Sequence, residues 1–251
     1  MKQNYVNFMD RNNIYLILKE TVSDATTEDR VMCFINERLD MIASGNTPFP
    51  INGGPKVALH ILPINAFTSQ QFINFSNIEL LDLSPINSLG YSPLYNAEGF
   101  ATYSDKGNLY YCQLYRNGLI ESVRSNIAIK KAEKIFIPAN DFEKAIVEAI
   151  ITYINTLKKV KILSPIIVII TLLDVKDVFL GTHSGHMERS RAMDRNALML
   201  PCFLIKEDSS ASELPAVARL LKPTFEVLWN AFGFSCCHNF DKEGNYVGGL
   251  Q

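Results

Sequence analysis

The stretch KVALHILPINAF, Lys56–Phe67, places a single histidine, His60, within an apolar run. The segment KVALHILP carries apolar side chains on both faces of an extended chain, which predicts a β-strand in the interior of a sheet. On such a strand, His60 is either a core histidine with one or two hydrogen-bond partners or a catalytic base presented to a substrate. The residues around it leave both interpretations open.

Regular elements are predicted on both sides of this strand. Before it, residues 26–44 predict a helix with one apolar face, formed by Val31, Ile35, Leu39 and Ile42. After it, LSPINSLGYSPLYN, residues 83–96, has the composition of a loop. Three β-rich runs with tight turns follow, and the Asn117-Gly118 turn is the strongest hairpin signal among them. The runs GFATYS, NLYYCQLYR and LIESVRS therefore predict an antiparallel meander.

The second half of the chain begins with a long predicted helix, IPANDFEKAIVEAIITYINTLKKV. Asn140 and Glu143 have the spacing of a capping box at its start. The apolar run Ile162–Leu173 is interrupted by Pro165 and is shorter than the roughly 20 residues of a spanning helix, so we predict a buried strand. LMLPCFLIKED predicts another strand, and two helices broken near Pro223 follow.

This order of elements predicts an α+β fold. We expect a mixed, largely antiparallel sheet with a hairpin meander, a long packed helix and two C-terminal helices. Residues 1–251 are expected to form a single domain, in which residues 1–45 can stand apart as an N-terminal helical arm.

Composition narrows the class of protein. The chain is 47% hydrophobic and 20% charged, which is typical of a globular protein. Its net charge of −2 argues against nucleic-acid binding through bulk charge. The five cysteines have no regular spacing, and the N-terminus lacks the apolar core of a signal peptide. We therefore expect a reduced, cytoplasmic protein that has no membrane partner.

Two short segments could carry chemistry. His183 and His186 lie three residues apart, and Cys236, Cys237 and His238 lie near the C-terminus. Together they offer zinc ligands, but the spacing is not that of a zinc site, and we expect neither a metal nor a cofactor. The alternatives are a polar loop with a polar tail, or a catalytic set formed by His183, His186 and His238 that cleaves RNA by acid–base chemistry.

Arginines beside these histidines are candidate binding residues for phosphate. They are Arg189, Arg191 and Arg195, with Arg116 next to the Asn-Gly turn. The alternative is a solvated loop between two strands and a surface charge at the turn. Cys33, Cys112 and Cys202 lie in apolar patterns and are interpreted as core residues. The sequence has no dinucleotide-binding, phosphate-loop, zinc-protease or serine-hydrolase motif.

Four pieces of the sequence occur in a recognisable order: NERLDMIASGNTPFPINGGPKVALHILPINAF, LYRNGLIES, IPANDFEKAI and LLKPTFEVLWNAFGFSCCHNFDKEGNY. Together they resemble the region that follows the AlbA-like domain in bacterial Schlafen-type DNA-binding proteins, over residues 14 to 247. The matching residues are Glu37, Arg38, Leu39, Gly45, Thr47, Pro48, Gly54, Pro55, Lys56, Leu59, His60, Pro63, Ala66, Phe67, Arg116, Asn117, Gly118, Glu121, Leu228, Trp229, Ala231, Gly233, Asn239 and Asp241.

The resemblance implies a function without assigning a catalytic residue. The AlbA-like domain is the part credited with handling nucleic acid, and we expect it to be absent from this chain. The resemblance favours a binding, sensing or regulatory module that is linked to nucleic-acid processing. It also suggests a setting in phage defence, of the abortive-infection type known from lactococci. Its partners would be RNA, a nuclease or AlbA-like protein, or a second copy of the chain. Two alternatives remain open: an RNA-cleaving defence effector, which would make the protein a ribonuclease, and a structural or oligomerisation subunit.

Overall fold

The computed structural model describes residues 25–69, 72–162, 165–182, 190–206 and 214–248. Within them, the α-helices are α1 (Ala25–Ser44), α2 (Asn65–Thr68), α3 (Ala139–Lys159) and α4 (Leu214–Ala231). Short 3-10 helices span Phe75–Asn77 and Leu80–Leu83. The strands are β1 (Lys56–Pro63), β2 (Tyr91–Asn96), β3 (Gly99–Ser104), β4 (Tyr110–Tyr115), β5 (Ile120–Ser125), β6 (Ile129–Lys131), β7 (Lys134–Pro138), β8 (Ile166–Leu173), β9 (Phe179–Gly181), β10 (Ala197–Met199) and β11 (Phe203–Ile205).

The main sheet has eight antiparallel strands in the order β10-β8-β1-β5-β4-β3-β2, and β11 also pairs with β8. β1 lies between β8 and β5, so the strand that carries His60 is interior, as predicted. β3, β4 and β5 form the predicted meander. A second sheet has the order β6-β7-β9. This architecture confirms the predicted α+β class.

Helices cover both faces of the main sheet. Successive side chains of a strand point to opposite faces, so a single strand contributes to the core on each side. On β1, Val57, Leu59 and Ile61 belong to the core beneath α3 and α4. Ala58 and Leu62 belong to a second core beneath α1. His60 shares the α1 face, by the same alternation.

The predicted apolar faces of the helices are buried. α1 buries its four predicted residues, Val31, Ile35, Leu39 and Ile42, against the sheet. α3 buries an apolar stripe formed by Phe142, Ile146, Ala149, Ile150, Tyr153 and Leu157. Gly233 lies just after the end of α4 at φ 88°, a left-handed conformation that favours glycine and is typical of a helix end. The domain count stays a prediction, and the first 24 residues of the proposed arm lie outside the described residues.

Four local predictions were wrong. The capping box does not form, because α3 begins at Ala139 without a side-chain cap and Glu143 points into the core. The two C-terminal helices are one helix with Pro223 inside it, since buried side chains before and after the proline offset the lost hydrogen bond. Cys33 is exposed, on the side of α1 away from its buried face. Residues 91–96, predicted as loop, form β2.

β2 accommodates a proline because it is the edge strand of the sheet. Pro93 has no N–H group to donate, and prolines are found on edge strands for that reason. The predicted strand LMLPCFLIKED is likewise divided, into β10 and β11 on either side of Pro201. In the described residues, each helix is too short or too polar to cross a bilayer.

Candidate functional site

A buried network of ionisable side chains lies between α1 and the sheet, centred on Glu121 of β5. Arg38 binds Glu121 through two parallel hydrogen bonds, from Nε to Oε2 at 2.8 Å and from Nη2 to Oε1 at 2.7 Å. Tyr111 donates to Oε1 at 2.7 Å, and Nε2 of His60 lies 3.1 Å from Oε2. Because an ionised carboxylate only accepts hydrogen bonds, Nε2 of His60 carries the proton in this contact.

The cationic partner keeps Glu121 ionised although it is buried. Burial raises the pKa of Glu121, but hydrogen bonds from Arg38 and His60 outweigh it and lower the pKa from 4.5 to about 2. Burial also opposes the charge of Arg38, but the hydrogen bonds and charge of Glu121 outweigh it, so the pKa of Arg38 is raised. The two-pronged contact is the geometry in which arginine and carboxylate interact most strongly.

His60 is a core residue, which is the first of its two predicted roles. Its side chain is fully buried, and the ring of Phe34 on α1 packs edge-on against it at 6.3 Å between centroids. Among the described residues, Nδ1 of His60 has no hydrogen-bond partner. A general base must reach the proton that it removes, and this imidazole is covered by α1. The network therefore fastens α1 to the sheet.

A second buried network joins α3, α4 and the segment after α4. Glu143 is fully buried and accepts hydrogen bonds from Nε1 of Trp229 at 2.6 Å and Nδ2 of Asn239 at 2.8 Å. Sγ of Cys237 lies 3.8 Å from Oε1 of Glu143. The ring of the exposed His238 packs 4.9 Å from that of Trp229. These contacts hold residues 237–239 against the two helices.

Glu143 differs from Glu121 because its hydrogen-bond donors are neutral. Burial raises the pKa of Glu143 from 4.5 to about 7, although the bonds from Trp229 and Asn239 lower it in part. Burial, and next the negative charge of Glu143, raise the pKa of the Cys237 thiol. Cys237 is therefore a poor thiolate nucleophile.

A cleft of about 170 Å³ opens where the first turns of α3 meet the end of β5. Most of its lining residues are apolar, and it has two charged ones, Arg124 and Asp141. The full lining is Val57, Ile86, Asn87, Arg124, Asn126, Ile127, Ile129, Pro138, Asp141, Phe142 and Ala145. An apolar cleft with a few polar groups is the usual form of a small-molecule site.

A second cleft of about 290 Å³ continues along α3. It shares Asn87 and Ala145 with the first cleft, and Glu148 and Thr152 line it farther along the helix. The loop from Ser84 to Tyr91 forms its other wall. Hydrogen bonds from Tyr153 and Tyr110 to the Ser84 and Gly90 carbonyl oxygens hold this loop in place.

Of the residues that the sequence singled out as catalytic or binding, the four that the structure describes, Arg116, Arg191, Arg195 and His238, do not line either cleft. His183, His186 and Arg189 lie outside the described residues, so their convergence with His238 stays a prediction. Arg191 is exposed, and its backbone N–H binds the Phe232 carbonyl oxygen. Arg195 is exposed and contacts the neighbouring Asp194.

Arg116 and the cysteines have structural surroundings. Nε of Arg116 donates to the Ala97 carbonyl oxygen at 2.9 Å, and the guanidinium lies 5.7 Å from the ring of Phe75, so the side chain joins two turns. Cys112 and Cys202 are buried as predicted, and burial raises the pKa of each to about 12. In the described part of the chain, no group of three or more His, Cys, Asp and Glu residues could hold a metal ion.

Sequence reasoning missed the cleft residues Asn87, Arg124, Asp141 and Ala145. One signal was present: Arg124 is a charged residue within the predicted strand LIESVRS, where a neighbour in the fold must accommodate its charge. The cleft itself has no sequence motif, because its walls come from β1, β5, β6, β7, α3 and two loops.

Comparison of the chain with protein-family models, curated proteins and solved structures found no match.

Proposed function

We propose that this protein is a binding or sensing module whose ligand enters the cleft beside α3. The observation that carries the proposal is the lining of the cleft, which combines apolar walls with one cation and one anion. Among the described lining residues there is no histidine, cysteine, lysine or serine, and Asp141 is the single acidic group, without a neighbouring nucleophile in the lining. This set of groups is suited to holding a ligand rather than to breaking a bond.

The two buried networks support the same proposal. Arg38 and His60 both bind Glu121, between α1 and the sheet. All three carry the resemblance to the region that follows the AlbA-like domain in Schlafen-type proteins. Trp229 and Asn239, two more of them, bind Glu143. These residues maintain the fold, so the resemblance favours a shared scaffold without implying a shared reaction.

The proposed setting is phage defence in the bacterial cytoplasm, with a link to nucleic-acid processing through a partner. The resemblance to the region that follows the AlbA-like domain in Schlafen-type proteins supports this setting. All five cysteines are free thiols, which fits a reducing compartment.

The test uses phage plating and RNA integrity in host cells that express the protein. Ala145 lines both clefts, so Ala145→Phe fills them, while Lys144→Phe places the same ring on the exposed neighbouring position. We expect wild type and Lys144→Phe to reduce plaque formation, Ala145→Phe to lose protection, and RNA to stay intact in all three. Circular dichroism melting confirms that each variant is folded.

Three outcomes would contradict the proposal. Failure of the wild type to reduce plaques with a broad phage panel would reject the defence setting. Full protection by a folded Ala145→Phe variant would reject the cleft as the binding site. RNA decay that stops in a folded His183→Ala/His186→Ala variant would favour the ribonuclease alternative.

A further inference from the structure

Arg124 is a half-buried cation without an anionic partner in the described residues. Its Nη1 atom donates to the carbonyl oxygens of Ile86, at 2.9 Å, and Asn87. The guanidinium carbon lies 5.3 Å from the centroid of the Tyr110 ring. Burial lowers the pKa of this guanidinium, in contrast to Arg38, whose carboxylate partner raises it.

The contacts of Arg124 leave donors for a ligand. A guanidinium has five N–H groups in a planar fork. Within the described residues, the hydrogen bonds of Arg124 use Nη1 alone, so Nε and Nη2 are free to bind an anion. The backbone carbonyls and the Tyr110 ring fix the plane of the fork, which reduces the entropy lost when a carboxylate binds.

Asp141 adds the opposite charge to the same cleft. It lies in the first turn of α3, its side chain is exposed, and its carboxylate has no hydrogen-bond or ion-pair partner in the described part of the chain. Arg124 and Asp141 line one cleft without forming an ion pair with each other. A ligand with a single negative charge would gain from Arg124 but be repelled by Asp141.

We propose that the cleft binds a small aliphatic zwitterion, an α-amino acid in chemical class, with its carboxylate on Arg124 and its ammonium group on Asp141. Val57, Ile127 and Phe142 provide an apolar surface for the side chain of the ligand. An engineered protein cavity of about 150 Å³ holds benzene, so a cleft of about 170 Å³ has room for a branched aliphatic group. This assignment rests on the proposed binding function and names its ligand class.

Three matched probes test the assignment by amide chemical-shift titration of the full chain. L-valine carries both charges, 3-methylbutanoate lacks the ammonium group, and 2-methylpropylamine lacks the carboxylate. We expect L-valine to shift the amides of Asn87, Asn126 and Ala145 and to bind at least about 10-fold more tightly than either analogue, since each lost charged contact costs about 10-fold or more.

Two variants separate the two charges. Asp141→Asn is expected to lower the affinity for L-valine about 10-fold. Its affinity for 3-methylbutanoate is expected to stay the same or rise, because the repulsion between the two carboxylates is gone. Arg124→Lys is expected to lower the affinity for L-valine and for 3-methylbutanoate about 10-fold and to leave the affinity for 2-methylpropylamine unchanged. Glu148→Gln, on the same helix but lining only the second cleft, is the control and is expected to change none of the three.

In the described residues Asp141 forms no hydrogen bond or ion pair with the Ser84–Tyr91 loop, so its variant keeps the test decisive if Arg124→Lys disturbs that loop. Equal binding of L-valine and 3-methylbutanoate to the wild type, or an unchanged L-valine affinity in Asp141→Asn, would overturn the zwitterion assignment. If no probe shifts the cleft amides while Ala145→Phe still abolishes protection, the ligand class is wrong and the proposed function stands. If L-valine binds as expected while Ala145→Phe keeps protection, the site stands and the proposed function fails.

Discussion

Glu121 and Glu143 are both fully buried, on opposite faces of the main sheet, yet they ionise differently. Glu121 meets the Arg38 guanidinium, and its pKa falls to about 2. Glu143 meets only neutral donors, and its pKa rises to about 7. Burial raises the pKa of both carboxyl groups, so the charge of the partner accounts for the opposite outcomes.

The difference gives the two faces opposite responses to pH. The contribution of Glu121 to stability is complete above its unfolded-state pKa of 4.5 and is lost as the pH falls toward 2. Glu143 binds a proton more tightly in the folded protein, so its contribution is largest below 4.5 and is lost as the pH rises to about 7. Near neutral pH, the contribution of Glu143 to stability therefore changes with pH, while that of Glu121 does not.

The largest expected effect comes from removing the cation beside Glu121. Arg38→Met is expected to lower the free energy of unfolding by about 3–5 kcal/mol, because it leaves a buried carboxylate without its partner. Urea denaturation at neutral pH measures this cost. Arg30→Met is the matched control on the same helix, since Arg30 donates from the surface to the Phe67 carbonyl oxygen. The double variant Arg38→Met/Glu121→Gln is expected to recover much of the loss, and a cost below about 1 kcal/mol for Arg38→Met would show that the ion pair contributes little.

A pH-dependent effect is expected at Glu143. The difference between its folded-state pKa of about 7 and the ordinary 4.5 corresponds to about 3 kcal/mol. Glu143→Gln removes this titration, so its stability relative to the wild type should improve by about that amount between about pH 5 and about pH 8. Denaturation curves at both pH values test it, with the exposed Glu148→Gln as control. A difference that does not change with pH would mean that Glu143 is ionised throughout.

The smallest effect is expected from a single hydroxyl group in the first network. Tyr111→Phe removes a hydrogen bond to a charged acceptor and should cost about 1.5–3 kcal/mol. Tyr103→Phe is the control, because the Tyr103 ring stacks on Phe49 and its hydroxyl has no partner in the described residues. The control should change stability by no more than about 0.5 kcal/mol. Equal costs in the two variants would contradict a role for Tyr111 in holding Glu121 ionised.

The fold class was readable from local patterns. An apolar run around His60 predicted the central strand, and the Asn117-Gly118 turn predicted the hairpin between β4 and β5. Two of the wrong predictions share one cause, which is that tertiary packing outweighed a local preference. Glu143 has the spacing of a capping residue but binds Trp229, 86 residues away along the chain. Pro223 is unfavourable inside a helix, but the buried side chains of α4 on both sides of it keep that helix continuous.

The candidate site was less predictable than the fold. The sequence emphasised histidines and arginines because those residue types carry chemistry, and His238, Arg191 and Arg195 lie on the surface. The cleft depends on Arg124, Asp141 and Ala145, which have no shared motif. Chain connectivity alone does not place β5 beside the start of α3, so the two charges could not be assigned to one cleft beforehand.

The sequence by itself determined β1, the β3–β5 meander, β8 and the apolar face of α1, because periodicity is a local property of the chain. Only the tertiary structure decided which buried charges meet. Arg38 and Glu121 are 83 residues apart and their pairing depends on how α1 crosses the sheet. The pKa of each buried acid, and the cleft that brings Arg124 and Asp141 together, follow from such long-range contacts, which local patterns do not encode.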